Sequence, residues 1–314
     1  MRTKGSFAAT AKIPIFLVGV PQATVRITDV RYTCMVSGGY RRHLFLRAES
    51  IIQMITEKEP QTWQQLQVWC AQIFHECGWQ AKTEVTVDLV RGRAEIDVLA
   101  TETVRGREYK TLVECKNWSS RVPQHVVHSF RTVVADVGAN AGYIVSMAGF
   151  QAGAYQAVEH TNVKLLTWHE FQEIFEQQWY WEYLTKYVVE HLEPLGDYLE
   201  PIPAMTHWDQ YLEKEEVERL KQLYREHQPL GVLIMALSPY IGMLNGQSTR
   251  LELPLEERAR LYSSLPQSIC DRTGYREFIA ELQDHCMPIL NEFRQFRDIA
   301  FARRDAAAGD GGAS

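Results

Sequence analysis

The chain has 314 residues, 46% hydrophobic and 23% charged, with a formal net charge of −6. That length accommodates two domains with a sizeable core, and the composition is that of an ordinary globular protein. The acidic balance argues against a general polyanion binder, though not against action on a nucleic acid through a site screened by a metal ion.

Charge is unevenly spread: residues 1–53 carry +6, residues 54–171 carry −2 and residues 172–314 carry −10. The first 53 residues include Ile13–Val20, too short an apolar run to span a membrane, and lack the pattern of a signal peptide. They read as a mis-assigned upstream translation, with Met54 as the start. Six cysteines, at 34, 70, 77, 115, 270 and 286, show no CxxC pair and no zinc spacing with histidine. That usage fits a reducing cytoplasm.

A catalytic-size domain is expected over 54–171. Thr62 and Gln65 form a capping-box pair opening a helix whose apolar positions are Trp63, Leu66, Trp69, Cys70, Ile73, Phe74 and Cys77, with Gly78 closing it. Val85, Val87 and Leu89 alternate with Glu84, Thr86 and Asp88 as a first strand. A hairpin follows, turning at Arg105-Gly106, where positive φ is needed at least at the glycine. In that register Asp97 lies opposite Glu114. The side-chain period of two puts Glu114 and Lys116 on one face and Val113 and Cys115 on the other.

Two carboxylates and an ammonium therefore converge on one patch of sheet. Glu-x-Lys on a strand is often only a solvated ion pair. Here Asp97 at the matching hairpin position and the flanking helix and strand patterns favour catalysis. Metal-assisted hydrolysis of a phosphodiester wants this constellation. Mg²⁺ takes oxygen ligands and keeps several waters, so one or two carboxylates plus substrate phosphate suffice, and Mn²⁺ is expected to substitute. Asp97 and Glu114 would hold the metal with the backbone carbonyl of Cys115. Lys116 would orient the attacking water and offset phosphorane charge. Glu95 is a candidate accessory ligand, or a brake on DNA approach.

At these residues the chain resembles the PD-(D/E)xK nucleases, in the restriction-endonuclease-like branch that includes Mrr-type type IV enzymes. The resemblance continues through Gly142-Tyr143-Ile144-Val145-Ser146, Gly149-Phe150, Ala154 and Leu165-Leu166, covering about residues 62–171. It implies Mg²⁺-dependent DNA cleavage with catalytic roles on Asp97, Glu114 and Lys116, in restriction or defence against foreign or modified DNA. No Pro-Asp precedes the hairpin. Gln67 stands where the first helix often has an acid, which puts a second metal in doubt.

A helix after Ser119-Ser120 presents Val122, Val126, Val127, Phe130, Val133 and Val134 on one side and Arg121, Gln124, His125, His128 and Arg131 on the other. Gln124 and His128, one turn apart, are candidates for contact near the cleaved phosphate. A strand at 142–146, a helix at 151–159 and a strand at 163–167 complete an α-β-β-β-α-β-α-β series. The fold class is α/β, a restriction-endonuclease-like mixed sheet flanked by helices.

From His169 the pattern turns helical, with Phe171, Ile174, Phe175, Trp179 and Leu184 near period 3.6, giving an all-helical domain over 172–303. Tryptophans 168, 179, 181 and 208 read as core rather than base-stacking platforms. Prolines 194, 201 and 203 mark a connector, 213–220 a charged surface helix, and Leu230–Leu244 a buried helix interrupted by Ser238-Pro239. A last helix covers about 274–303, and 304–314 reads as a disordered tail. The acidity of this half suits self-association or a protein partner better than reading DNA. The expected partners are DNA, a second copy on DNA and a protein docking on the helices, with no membrane. Two readings stand beside restriction: a structure-specific repair or junction nuclease, and a non-catalytic DNA- or partner-binding module on the same fold.

Overall fold

The computed structural model describes residues 31–35, 41–45, 53–90, 92–199, 208–239, 250–255 and 265–310. Residues 1–51 form one unit, in which strands β1 (Arg31–Met35) and β2 (Arg41–Phe45) pair antiparallel, Arg31 opposite Phe45. The remainder forms a second unit.

In that second unit α1 (Trp63–Glu76) starts at Thr62, whose hydroxyl accepts from the Gln65 N–H. Its buried stripe is Leu66, Gln67, Cys70, Ala71, Ile73 and Phe74. Trp63, predicted as a core position, is exposed instead, the buried stripe of α1 beginning only at Leu66. Strands β3 (Gln80–Leu89), β4 (Gly92–Val104) and β5 (Arg107–Lys116) form an antiparallel meander. The β4–β5 turn has positive φ at both Arg105 and Gly106, the geometry that suits the twist of a two-residue hairpin. Its ladder runs from Val104↔Arg107 to Val98↔Val113, the predicted register.

Then come α2 (Gln124–Val137), β6 (Ala141–Ser146), α3 (Ala152–Ala157) and β7 (Val163–Thr167). β6 and β7 add in parallel, giving the sheet order β3-β4-β5-β6-β7. Val127, Phe130 and Val134 of α2 lie on one face of the sheet. Gly142 in β6 admits that helix closely, since a Cβ there would stand 2.7 Å from Val134 and 2.9 Å from Phe130. On the opposite face α1 packs with α4 (Trp168–Trp179). Val122, predicted within α2, instead forms a parallel bridge to Phe150 ahead of the helix, because Pro123 fixes the N-cap.

A π-helical turn at Tyr180–Leu184 joins α4 to α5 (Thr185–His191). Phe171, Phe175 and Trp179 step by four and Leu184 by five, so the π turn keeps one buried stripe in line. Ile174 falls outside that stripe and is exposed. Trp168, Trp179 and Trp208 are buried and Trp181 packs against the core.

After α6 (Glu193–Leu199), α7 (Lys214–Leu237) merges the predicted charged helix with the apolar one and passes through Pro229. Burial of Leu230, Leu233, Ile234 and Leu237 sustains it there. It ends at Ser238, before Pro239; residues 240–244 of the predicted helix lie outside the described residues. A short α8 (Gln267–Cys270) precedes α9 (Tyr275–Asp310). α9 extends beyond 303, where a disordered tail was expected: Arg303 bonds Glu216 and Glu213 at the start of α7 and pins its last turns.

Packing is continuous across residue 171, where a domain boundary was expected. One apolar cluster runs from Cys70 and Phe74 of α1 through Trp179 and Leu184 to Tyr275 and Phe278 of α9. Residues 53–57 are stitched to the same region. The Met54 carbonyl accepts from Tyr275 N–H at 3.0 Å, that of Ile55 accepts from Arg276 N–H at 2.8 Å, and the Thr56 hydroxyl donates to Glu277 at 2.6 Å. No helix among the described residues is long and apolar enough to cross a membrane.

Candidate active site

The site forms where β4 parts from β5. β4 pairs with β5 only from Val98 onward, and its pairing with β3 skips the Glu84–Asp97 position. Glu84 has φ +53°, and the inside–outside alternation of both strands reverses there. Ala81, Val98 and Ala100 face the α1 core, whereas Val87, Ala94 and Ile96 face the core under α2. Asp97 stands at the reversal without a ladder partner on either side, and its side chain takes over the missing bonds. Oδ2 accepts from the Cys115 N–H at 2.6 Å, and Oδ1 accepts from Gln67 Nε2 at 2.8 Å. Both oxygens are thereby aimed by the fold.

On β5, Leu112 faces α2 while Val113 and Cys115 face α1, so Glu114 and Lys116 project on the α2 side. Lys116 Nζ lies 2.5 Å from Glu114 Oε1, with the two side chains 17% and 22% exposed. Burial pushes the Glu114 carboxyl above its ordinary range; the bond from Lys116 opposes that and the charge of Asp97 adds to it. The Cys115 thiol is raised by burial and by the Cys70 thiol hydrogen-bonded to it from α1, so it is an inert core group. Its main chain is differently placed. The Lys116 carbonyl accepts from Met147 N–H, toward β6, and the Cys115 N–H is held by Asp97. Backbone groups alternate along a strand, so the Cys115 carbonyl faces the β4 side, beside Asp97.

Two carboxylates share one ammonium, leaving one negative charge uncompensated in a half-buried site. All the oxygen donors are hard. Among the described residues no three His, Cys, Asp or Glu side chains gather as a metal cage. A divalent ion would therefore rest on Asp97, Glu114 and the Cys115 carbonyl, completed by water and substrate oxygens, which suits Mg²⁺.

Other sequence candidates are less closely joined to this centre. Glu95 is exposed, faces Thr86 of β3 and makes no hydrogen bond or ion pair among the described residues. Gln124 opens α2, and its Oε1 lies where a Cβ on Gly153 would come within 3.0 Å. His128, one turn on, is exposed and lines a cleft beside α2.

Two neighbours carry more than the sequence suggested. Gln67, noted only for lacking a carboxylate, is 4% exposed and is the donor that fixes Asp97. A polar residue within the buried stripe of α1 was the available signal. Trp118 places its ring centroid 5.1 Å from Lys116 Nζ while remaining 42% exposed, a cation–π partner two residues beyond the lysine.

A five-stranded mixed sheet with helices on both faces, carrying an Asp and a Glu-x-Lys at a strand divergence, defines a restriction-endonuclease-like domain. Residues 59–175 match the restriction endonuclease family model Mrr_cat, and that segment is an Mrr-type domain. No curated protein matches the sequence. Among solved structures the chain is similar to AF1548, a protein of unknown function, at 20% identity and TM-score 0.31, over 59% of this chain and 98% of that one. It is similar to VC1899 from Vibrio cholerae at 14% identity and TM-score 0.30, over 38% and 33%. The DNA modification-dependent restriction endonuclease AspBHI gives 15% identity and TM-score 0.23, over 45% and 42%. The chain thus spans less than half the length of the last two.

Proposed function

We propose that the protein is a metal-dependent DNA endonuclease of restriction or defence, cutting foreign or modified DNA in the cytoplasm, with Asp97, Glu114 and Lys116 as its catalytic residues. The observation that carries this reading is the aimed Asp97 carboxylate beside the Glu114–Lys116 ion pair, three groups that together are one positive charge short. A bound Mg²⁺ or Mn²⁺ supplies Lewis-acid polarisation of the phosphate and a water of lowered pKa. The chain's own residues do the rest. Gln67 and the Cys115 amide hold Asp97 in one orientation. Lys116, released from Glu114, donates a hydrogen bond to the attacking water or to a phosphate oxygen and offsets the charge developing there. Two copies on DNA would give one site per strand, and the five buried free thiols among the described residues suit a reducing compartment.

Calorimetric titration with Mg²⁺ is the direct check. Wild type is expected to bind the ion, and Asp97→Ala and Glu114→Ala to lose that binding. The Glu114 carboxyl has its pKa raised, so a proton competes with the metal at higher pH than for an ordinary glutamate. Affinity should fall as the solution is acidified from neutrality, and binding indifferent to pH from 7 to 5 would remove Glu114 from the ligand set.

Gln67 offers a second check. Gln67→Leu keeps the volume of a buried side chain and deletes the donor to Asp97. Cleavage is expected to drop roughly 10–100-fold with the fold retained, in line with losses on removing an orienting partner of a metal ligand. Unchanged single-turnover rates would show that Asp97 needs no such support.

A further inference from the structure

We infer that the cleft between α2 and the turn before β7 is a second phosphate-binding site, one that holds the DNA backbone away from the scissile bond. This rests on the nuclease reading for its ligand, but not on any catalytic residue. The cleft has a volume of about 620 Å³ and is lined by His128, Arg131 and Thr132 of α2 and by His160, Thr161 and Asn162 of the turn.

Its guanidinium and its imidazoles are presented rather than consumed. Arg131 Nη1 donates to the Ala157 carbonyl at 2.7 Å, which pins the guanidinium beside the turn and leaves its other N–H groups without partners among the described residues. A guanidinium so fixed offers the planar donor fork that matches phosphate. The imidazoles of His128 and His160 are exposed and make no hydrogen bond among the described residues, while the His128 carbonyl accepts from the Thr132 hydroxyl at 3.2 Å. The neutral polar groups are already engaged: Asn162 Nδ2 donates to the Ala139 and Asn140 carbonyls, and Thr161 Oγ1 to that of Val158. Asp136 and Glu159, the sequence neighbours, do not line the cleft.

A second observation is independent of the cavity. His160 has φ +59°, a left-handed conformation in which a non-glycine residue is strained. The turn thus keeps an imidazole at its tip where glycine would be more stable. Position supports the assignment as well. Gln124, His128, Arg131 and Ala135 follow one another at helical spacing along one face of α2, which begins eight residues after Lys116. With a rise of about 1.5 Å per residue, His128 lies about 6 Å along the helix from Gln124, and the cleft extends about 10 Å further to Ala135. One DNA strand carries a phosphate about every 3.4 Å of axis, so this stretch is long enough for several.

The test is fluorescence anisotropy of a labelled 20-base-pair duplex with the full-length protein and no added metal, so that cleavage does not enter. His160→Gly with His128→Ala is expected to weaken binding about tenfold. His160→Gly alone should leave the melting temperature unchanged or raised, a combination a structural role for the imidazole would not give. Arg131→Gln is expected to flatten the slope of log affinity against log salt by about 0.9, the loss of one phosphate contact. Equal affinity and slope for all variants, with plasmid cleavage by wild type intact, would overturn the cleft assignment and leave the nuclease reading standing. Weakened binding by a protein that never cuts would support the cleft and remove the nuclease reading. Binding of 5′-dAMP tighter than the duplex, and lost in the same variants, would overturn the backbone assignment in favour of a free nucleotide.

Discussion

Alanine at Asp97 or at Lys116 is expected to reduce cleavage of supercoiled plasmid by about a thousandfold or more in Mg²⁺ or Mn²⁺, while binding of DNA persists. The two substitutions fail for different reasons. Asp97→Ala removes a carboxylate aimed by Gln67 and by the Cys115 amide, and with it the site's ability to hold a cation. Lys116→Ala keeps both carboxylates but removes the ammonium paired with Glu114, so charge developing on the phosphate is left without a partner. Charge stabilisation inside a water-poor site is commonly the largest contribution to catalysis, and losing one such group costs about 10²–10³-fold or more. A non-catalytic module predicts instead that wild type and both variants bind alike and none cuts. Substrate choice separates the remaining readings: preference for methylated plasmid supports restriction of modified DNA, and preference for a four-way junction supports a repair role. If two copies act together, the linear product should appear at a rate rising with the square of protein concentration.

The readable part of this site was the part fixed by local rules. Arg105-Gly106 sets the turn, the turn sets the register, and the register places Asp97 one step beyond Val98↔Val113. What remained hidden depends on distant partners. Gln67 finds Asp97 across 30 residues, and the reversal of alternation at Glu84 and Asp97 violates the period of two from which strand faces are inferred. The helical half was legible as helix but not as a set of elements. Pro229 and Pro288 lie inside α7 and α9, where tertiary burial outweighs a missing N–H. The packing that joins α1 to α9 pairs residues some 200 positions apart, which no local pattern can announce.

That junction carries the largest expected effect on stability. Glu76, at the end of α1, accepts both guanidinium N–H groups of Arg276, at 2.7 and 2.6 Å, and the indole N–H of Trp179 at 2.5 Å. Its side chain is 8% exposed, and the Arg276 guanidinium also lies 5.8 Å from the centroid of the Trp179 ring. Glu76→Ala would leave a half-buried cation and an indole donor unpaired, a loss of about 3–5 kcal/mol by analogy with breaking one side of a buried ion pair. At about 2–4 °C per kcal/mol for a chain of this size, the melting temperature should fall by roughly 6–20 °C. Glu76→Leu with Arg276→Leu should be less damaging than the sum of the single changes, because neither charge is then stranded. The sheet and the helices share one core through this clamp, so intrinsic fluorescence, helical circular dichroism and loss of plasmid cleavage should report a single transition at the same temperature. Separate transitions in Glu76→Ala would show that the clamp couples two units able to unfold independently; a coincident shift in all three signals would make the helical half a structural part of the nuclease rather than an appendage to it.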